Sequence, residues 1–310
     1  MFRKITNILS LVALIAVIAV AIFFVFIAGN GGSESPLDTN QPSNSTTRPP
    51  VTQDTTTQTP DTPERTPEPP PSPWQWTSLS EIFNTEYLML VNRDFAIPRD
   101  VQSEMVQTYP RVRSRGDSRL LHESALSALE DMFASASAAG FANLMLFSGF
   151  RTIAAQTNNY NNAPAGFSMP PWHSEHHTGL AVDIAFVGNT TLSSAFGNTS
   201  AGRWLRENSW RYGFILRYPE NTMHITSIDY EPWHFRFIGV PHAYFIHTNE
   251  IVLEEYIDLL HERESLRVNI DGTIYYIYWQ MPVDGQLNLP TDREFIVSSD
   301  NTGGYIITAW

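Results

Sequence analysis

The chain has 310 residues, room for one or two domains, and its hydrophobic content of 42% suits a globular core. A net charge of −13 argues against a nucleic-acid partner, since phosphate binding needs basic patches. With no Cys there are no disulfides, thiolate metal sites, Cys nucleophile or lipoprotein anchor, so any metal must be held by His and carboxylates. In chain order, Arg3 and Lys4 precede an apolar stretch from Ile8 to Ala28, broken only by Ser10. That length spans a bilayer core of roughly 30 Å as a helix and exceeds the apolar region of a cleaved signal peptide. The basic residues favour the inner side. Residues 1–29 are therefore expected to be a cytoplasmic tip and single-pass membrane anchor, with the remainder extracellular. Residues 30–73 are rich in Ser, Thr and Pro, as in Pro69-Pro70-Pro71. Such a composition buries too little apolar area to offset chain ordering, and reads as an extended linker.

Folded sequence is expected from Trp74 to about residue 262, with a β-rich extension over 263–310. Tyr87 to Asn92 reads as a strand. Leu126, Leu129, Met132 and Phe133 recur at helical spacing, which predicts an amphipathic helix from Leu121 to about Ala139. Leu144 to Phe147 reads as a buried strand, a helix starting after Thr152 carries Gln156, and a loop is expected up to Ser174. Leu180 to Ala185 is a further strand, Ala201 to Tyr212 a helix, and Gly213 to Arg217 a return to the sheet. Trp233 to Val240 alternates as a strand does. One acidic amphipathic helix is expected around Ile251, Leu253, Tyr256, Ile257 and Leu260. Asp271-Gly272 marks a hairpin turn between β segments, and Glu294 to Val297 and Tyr305 to Trp310 add strands.

Two segments carry the chemistry. Ser174-Glu175-His176-His177-Thr178-Gly179-Leu180-Ala181-Val182-Asp183 sets an imidazole and a carboxylate seven residues apart, across a Gly-containing turn. Glu231-Pro232-Trp233-His234 supplies a second imidazole, with a carboxylate three positions before it. Two His and one Asp around zinc leave a fourth position for water, and a spare Glu can act as general base. His173, His177 and His224 compete for ligand duty. His177 would face away from His176 in an extended segment.

The pattern Ser174-x-His176-x-x-Gly179-x-Ala181-x-Asp183, joined to Glu231-x-Trp233-His234-x-Arg236, resembles the VanY-type D-alanyl-D-alanine carboxypeptidases. L,D-carboxypeptidases of the LdcB type are close relatives in the same zinc peptidase family. Ser148-Gly149-Phe150-Arg151-Thr152 with Gln156, and Tyr212 to Pro219, extend the likeness over roughly Leu88 to Pro241. The resemblance implies one Zn2+ held by His176, Asp183 and His234, with Glu231 as catalytic base. It also implies that Arg151, with Gln156 and Ser174, binds the terminal carboxylate of a peptidoglycan stem peptide, a role suited to the planar fork of a guanidinium. Arg236 is either an orienting partner behind the site or a sheet-surface cation. The implied fold is α+β, a central antiparallel sheet flanked by helices, as in the hedgehog/D-Ala-D-Ala-peptidase group. The implied reaction is removal of the C-terminal D-Ala by a membrane-anchored enzyme at the cell wall. L,D-cleavage of the tetrapeptide stem, or a non-catalytic wall-binding module of the same fold, are the alternatives. The sequence departs from the family where Ser227 follows Thr226 in place of Gly, and in the bulky Pro170-Pro171-Trp172-His173.

Overall fold

The computed structural model describes residues 73–115, 120–164 and 167–310. The expected anchor, and all of the expected linker but Pro73, lie outside the described residues. Among the described residues no helix is long and apolar enough to cross a membrane.

Strand β1 (Trp74–Ser78) leads through irregular chain to the short antiparallel pair β2 (Val106–Gln107) and β3 (Leu120–Leu121). Helix α1 (Glu123–Ala138) follows; His122 caps it, its Nδ1 accepting from Ser124 N at 3.2 Å. Ala125, Leu126, Leu129, Met132 and Ala136 line its buried face at the period read from the sequence. Next come β4 (Leu144–Ser148) and α2 (Ile153–Asn162), whose first turn is capped by the Thr152 hydroxyl. Beyond a loop lie β5 (Ala181–Phe186), α3 (Ser200–Asn208), β6 (Phe214–Leu216), the single turn α4 (Met223–Thr226) and β7 (His234–Phe237).

The strands β4-β5-β7-β6 form one antiparallel sheet in that order. The α+β fold with a central antiparallel sheet is thus present. Its register decides the site, because Ser148, Asp183 and His234 are cross-strand partners in one row over β4, β5 and β7. A bulge between Leu146 and Ser148 ends the regular pairing at that row. The face of the sheet opposite the row is sealed by α1, with Leu146, Val182 and Phe235 fully buried.

The acidic amphipathic helix expected around Ile251 to Leu260 is α6 (Leu253–Arg263), and a further helix, α5 (Val240–Asn249), precedes it. They separate at Glu250, whose φ of 53° is left-handed. The hairpin of β8 (Ser265–Ile270) and β9 (Thr273–Gln280) joins β11 (Phe295–Ser299) and β12 (Tyr305–Ala309) in a sheet of order β11-β12-β9-β8. This sheet shares a core with α5 and α6: Ile277 and Ile306 pack with Tyr256, Leu260 and, from the central sheet, Ile215. The first strand also belongs to this end of the molecule, since β1 pairs with β10 (Gln286–Pro290).

The segment from Tyr87 to Asn92 is not a strand. Its apolar side chains are buried, but its amides and carbonyls serve the β11–β12 turn and a buried arginine, described below.

Candidate metal centre and substrate cavity

His176, Asp183 and His234 bring one ligand atom each within 4.8 Å of one another, and all three are buried. Asp183 and His234 meet because β5 and β7 place them opposite each other, with His234 Nδ1 at 3.0 Å from Asp183 Oδ1. His176 arrives from a 3-10 turn, Glu175–Thr178, where an extended segment was expected. Gly179 ends that turn at φ 67°; a Cβ there would lie 2.1 Å from Met105 Sδ, so the tight return into β5 requires glycine.

Each imidazole has its second ring nitrogen committed. His176 Nδ1 donates to the Gly149 carbonyl at 2.7 Å, leaving Nε2 toward Asp183 at 3.3 Å. His234 Nε2 faces Glu175 Oε2 at 3.4 Å, leaving Nδ1 toward Asp183 and, at 3.7 Å, Glu231 Oε2. Two imidazole nitrogens, each ring oriented from behind, and a carboxylate are the donor set of an open tetrahedral zinc site, and the residues fit that ion.

Glu175 is the residue the sequence reading passed over. Its Oε1 accepts from Arg217 Nε at 2.8 Å and from Arg236 Nη1 at 2.9 Å, all three side chains being fully buried. Burial alone would raise its pKa, but the two guanidiniums and His234 hold it well below the usual carboxylate range. Arg217 is gripped on its other side by Glu254, at 2.8 and 2.6 Å. Arg236 is therefore no sheet-surface cation; it stands two shells behind the ligands. A signal was available in the chain for Arg236 alone: a charge inside the apolar strand β7 needs a buried partner.

All seven residues selected from the sequence line one cavity of about 480 Å³. Arg151 sits on its wall, Nη1 donating to Gln156 Oε1 at 2.7 Å and Nη2 to Ser148 Oγ at 3.1 Å. Gln156 spends its amide nitrogen on Met169 O at 2.5 Å and Ser168 Oγ at 3.0 Å, so it stands behind Arg151 and orients it. Ser174 is buried at the cavity wall, as is Trp233. Burial pushes the pKa of Glu231 up to about 7, Asp183 adding to the rise while His234 and Arg151 oppose it. For His234 burial acts the other way, yet its bonds to Asp183 and Glu175 prevail and lift it to about 9. Burial and the Arg151 charge lower His176 to about 4.

The competing histidines are engaged elsewhere. His177 Nδ1 donates to the Arg151 carbonyl at 2.7 Å and its Nε2 accepts from Trp172 N at 3.3 Å. His173 Nδ1 donates to the Asn92 carbonyl at 2.8 Å, and His224 is exposed on α4.

Residues 118–240 match the family model VanY, D-alanyl-D-alanine carboxypeptidase. The chain is 36% identical over 196 residues to the putative carboxypeptidase YodJ of Bacillus subtilis, covering 58% of this chain and 70% of that protein. The chain belongs to the VanY family. It is also 34% identical over 172 residues to a D-alanyl-D-alanine carboxypeptidase of Enterococcus faecium, spanning 55% of each. Among solved VanY-like structures, the vancomycin-resistance D,D-dipeptidase VanXYg, in complex with a D-Ala-D-Ala phosphinate analogue, superposes with a TM-score of 0.66 at 25% identity. That match covers 78% of this chain and all of the other. The LdcB LD-carboxypeptidase superposes with a TM-score of 0.51 at 33% identity, over 60% of this chain and 94% of its own. The VanY match ends at residue 240, so α6 and the C-terminal sheet lie outside it.

Proposed function

We propose that this chain is a zinc-dependent D-alanyl-D-alanine carboxypeptidase acting on peptidoglycan stem peptides. The observation that carries the reading is the convergence of His176, Asp183 and His234 on one point of a cavity that also holds Glu231 and Arg151. His176 Nε2, His234 Nδ1 and Asp183 would hold a single ion. Zinc bound there supplies Lewis acidity and brings water ionisation to near neutral pH.

Arg151, fixed by Gln156 and Ser148, presents its guanidinium to the carboxylate of the departing residue. That contact suits an exopeptidase, because the α-carboxylate of a chain end lies one residue from the bond to be cut. Ser174 borders the same carboxylate position. Glu231 takes a proton from the attacking water and returns it to the leaving amine, roles open to a carboxyl whose pKa of about 7 lies near the working pH. The buried Glu175 keeps the His234 ring fixed, so that Nδ1 stays turned to the site.

The reading is tested by incubating the pentapeptide stem with the protein, with and without chelator, and weighing the products. Loss of one D-Ala is expected, abolished in Glu231→Gln while zinc remains bound; turnover by that variant would remove Glu231 from the base role. The likeness to the LdcB LD-carboxypeptidase supports L,D-cleavage as a second reading. A tetrapeptide stem in the same assay separates the two. The apolar stretch from Ile8 to Ala28 supports placing the catalytic domain at the outer face of the cell membrane.

A further inference from the structure

The family match ends at residue 240, yet the buried arginine behind the metal ligands is held from the far end of the chain. Arg236 Nη1 donates to Glu175, and its Nη2 donates to the Tyr87 carbonyl at 3.1 Å and the Met89 carbonyl at 2.9 Å. A carbonyl and the following N–H belong to one rigid plane and point in opposite directions. In the plane joining Tyr87 to Leu88, the Leu88 N–H donates to Ser298 Oγ at 2.9 Å. In the plane joining Met89 to Leu90, the Leu90 N–H donates to the Asp300 carbonyl at 3.0 Å. Two peptide planes therefore bridge the end of β11, at Ser298, and the following turn, at Asp300, to the guanidinium, each pinned at both ends. Asn301 fastens the same loop, its Nδ2 donating to Leu90 O and Ala96 O, both at 2.9 Å.

We propose that Ser298 is a positioning residue of the metal centre, acting through the Tyr87–Leu88 plane on Arg236, then Glu175, then His234. The C-terminal sheet is on this account a working part of the site and not an appendage. Ser298 is buried, so removing its oxygen leaves the Leu88 N–H without an acceptor, and the plane turns to find one. Turning it withdraws the Tyr87 carbonyl from Arg236, which is fully buried and out of reach of bulk solvent. Glu175 then loses one of the two guanidiniums that aim its second oxygen at His234, keeping only Arg217. The same chain of contacts explains why Tyr87 to Asn92, apolar as a strand, pairs with no strand.

Ser298→Ala is the test, with two readouts. In metal-free protein, NMR exchange of the Arg236 guanidinium protons reports positioning alone, and faster exchange than in the native chain is expected. Zinc affinity by chelator competition reports the consequence, which rests on the metal centre proposed above; about a tenfold loss is expected. Ser298→Thr, which retains the oxygen, should restore both. Ile307→Val, a cavity substitution in the neighbouring strand, should destabilise the sheet and move neither. If Ser298→Ala does not fold, Asn301→Ala loosens the same loop and carries the same two readouts. Arg236 protons that exchange as slowly in the variant as in the native chain would overturn the proposal. Failure of the native chain to bind zinc would overturn the metal centre alone, leaving the exchange result to decide the positioning role.

Discussion

Replacing Glu175 by Gln removes one charge and almost no volume from the middle of the buried network. Arg217 keeps its two bonds to Glu254, but Arg236 is left, among the described residues, with carbonyl partners only. The amide can still offer one oxygen to the guanidiniums; its NH2 group then meets His234 Nε2–H donor to donor. Stripping the carboxylate from a buried ion cluster costs about 3–5 kcal/mol. For a folded part of this size that corresponds to a fall in Tm of roughly 10 °C. A loss of the bond that fixes a ligand ring should also weaken zinc binding by about 10–100-fold. Thermal unfolding of the metal-free protein measures the first effect and chelator competition the second. A Glu175→Gln protein within 0.5 kcal/mol (~1 °C) of the native stability, with unchanged zinc affinity, would refute the reasoning that this carboxylate holds the site together.

Two further outcomes follow from groups away from the ligands. His242 is fully buried, bonded to Tyr256 Oη at 2.7 Å and Thr308 Oγ1 at 2.9 Å, and burial lowers its pKa to about 3. The unfolded chain takes up a proton near pH 6.5 that the folded chain refuses, so its contribution is complete above that pH and is lost as pH falls toward 3. At pH 4.5 the loss is about 3 kcal/mol; His242→Gln, measured by denaturant unfolding, should flatten this acid limb, and an unchanged slope would contradict the assignment. Ser227 stands at φ 63°, in the left-handed region that a serine occupies at a cost of roughly 1–2 kcal/mol. Ser227→Gly is expected to raise unfolding stability by about 0.5–1 kcal/mol after the entropy it restores to the unfolded chain, and a loss of stability would show that the serine side chain contributes more than the strain costs.

The sequence carried the ligands and the elements that bear them, because Asp183 and His234 sit in short apolar runs whose period marks them as strands. It did not carry the register that sets those two residues opposite each other, which depends on pairing across a sheet. Glu175 was hidden by its setting, a carboxylate beside two histidines in a stretch expected to be extended; only the 3-10 turn reveals that it points inward, to Arg217 and Arg236. Tyr87 to Asn92 misled for a related reason. Hydrophobicity reports burial, and this segment is buried, but its backbone is spent on Arg236 and the β11–β12 turn. Likewise the break between α5 and α6 rests on a left-handed Glu250, a residue type that gives no such warning. Where Gly was expected after Thr226, the backbone retains the glycine-like conformation and Ser227 bears the strain.

The central claim is that three side chains from separate segments surround one ion. Anomalous diffraction from crystals of the zinc-loaded protein, recorded above and below the zinc edge, tests it most directly. A single peak enclosed by His176, Asp183 and His234, with Glu231 facing it, is the predicted result. A protein that crystallises from zinc with no peak there, or with its ion held by other residues, would contradict the account.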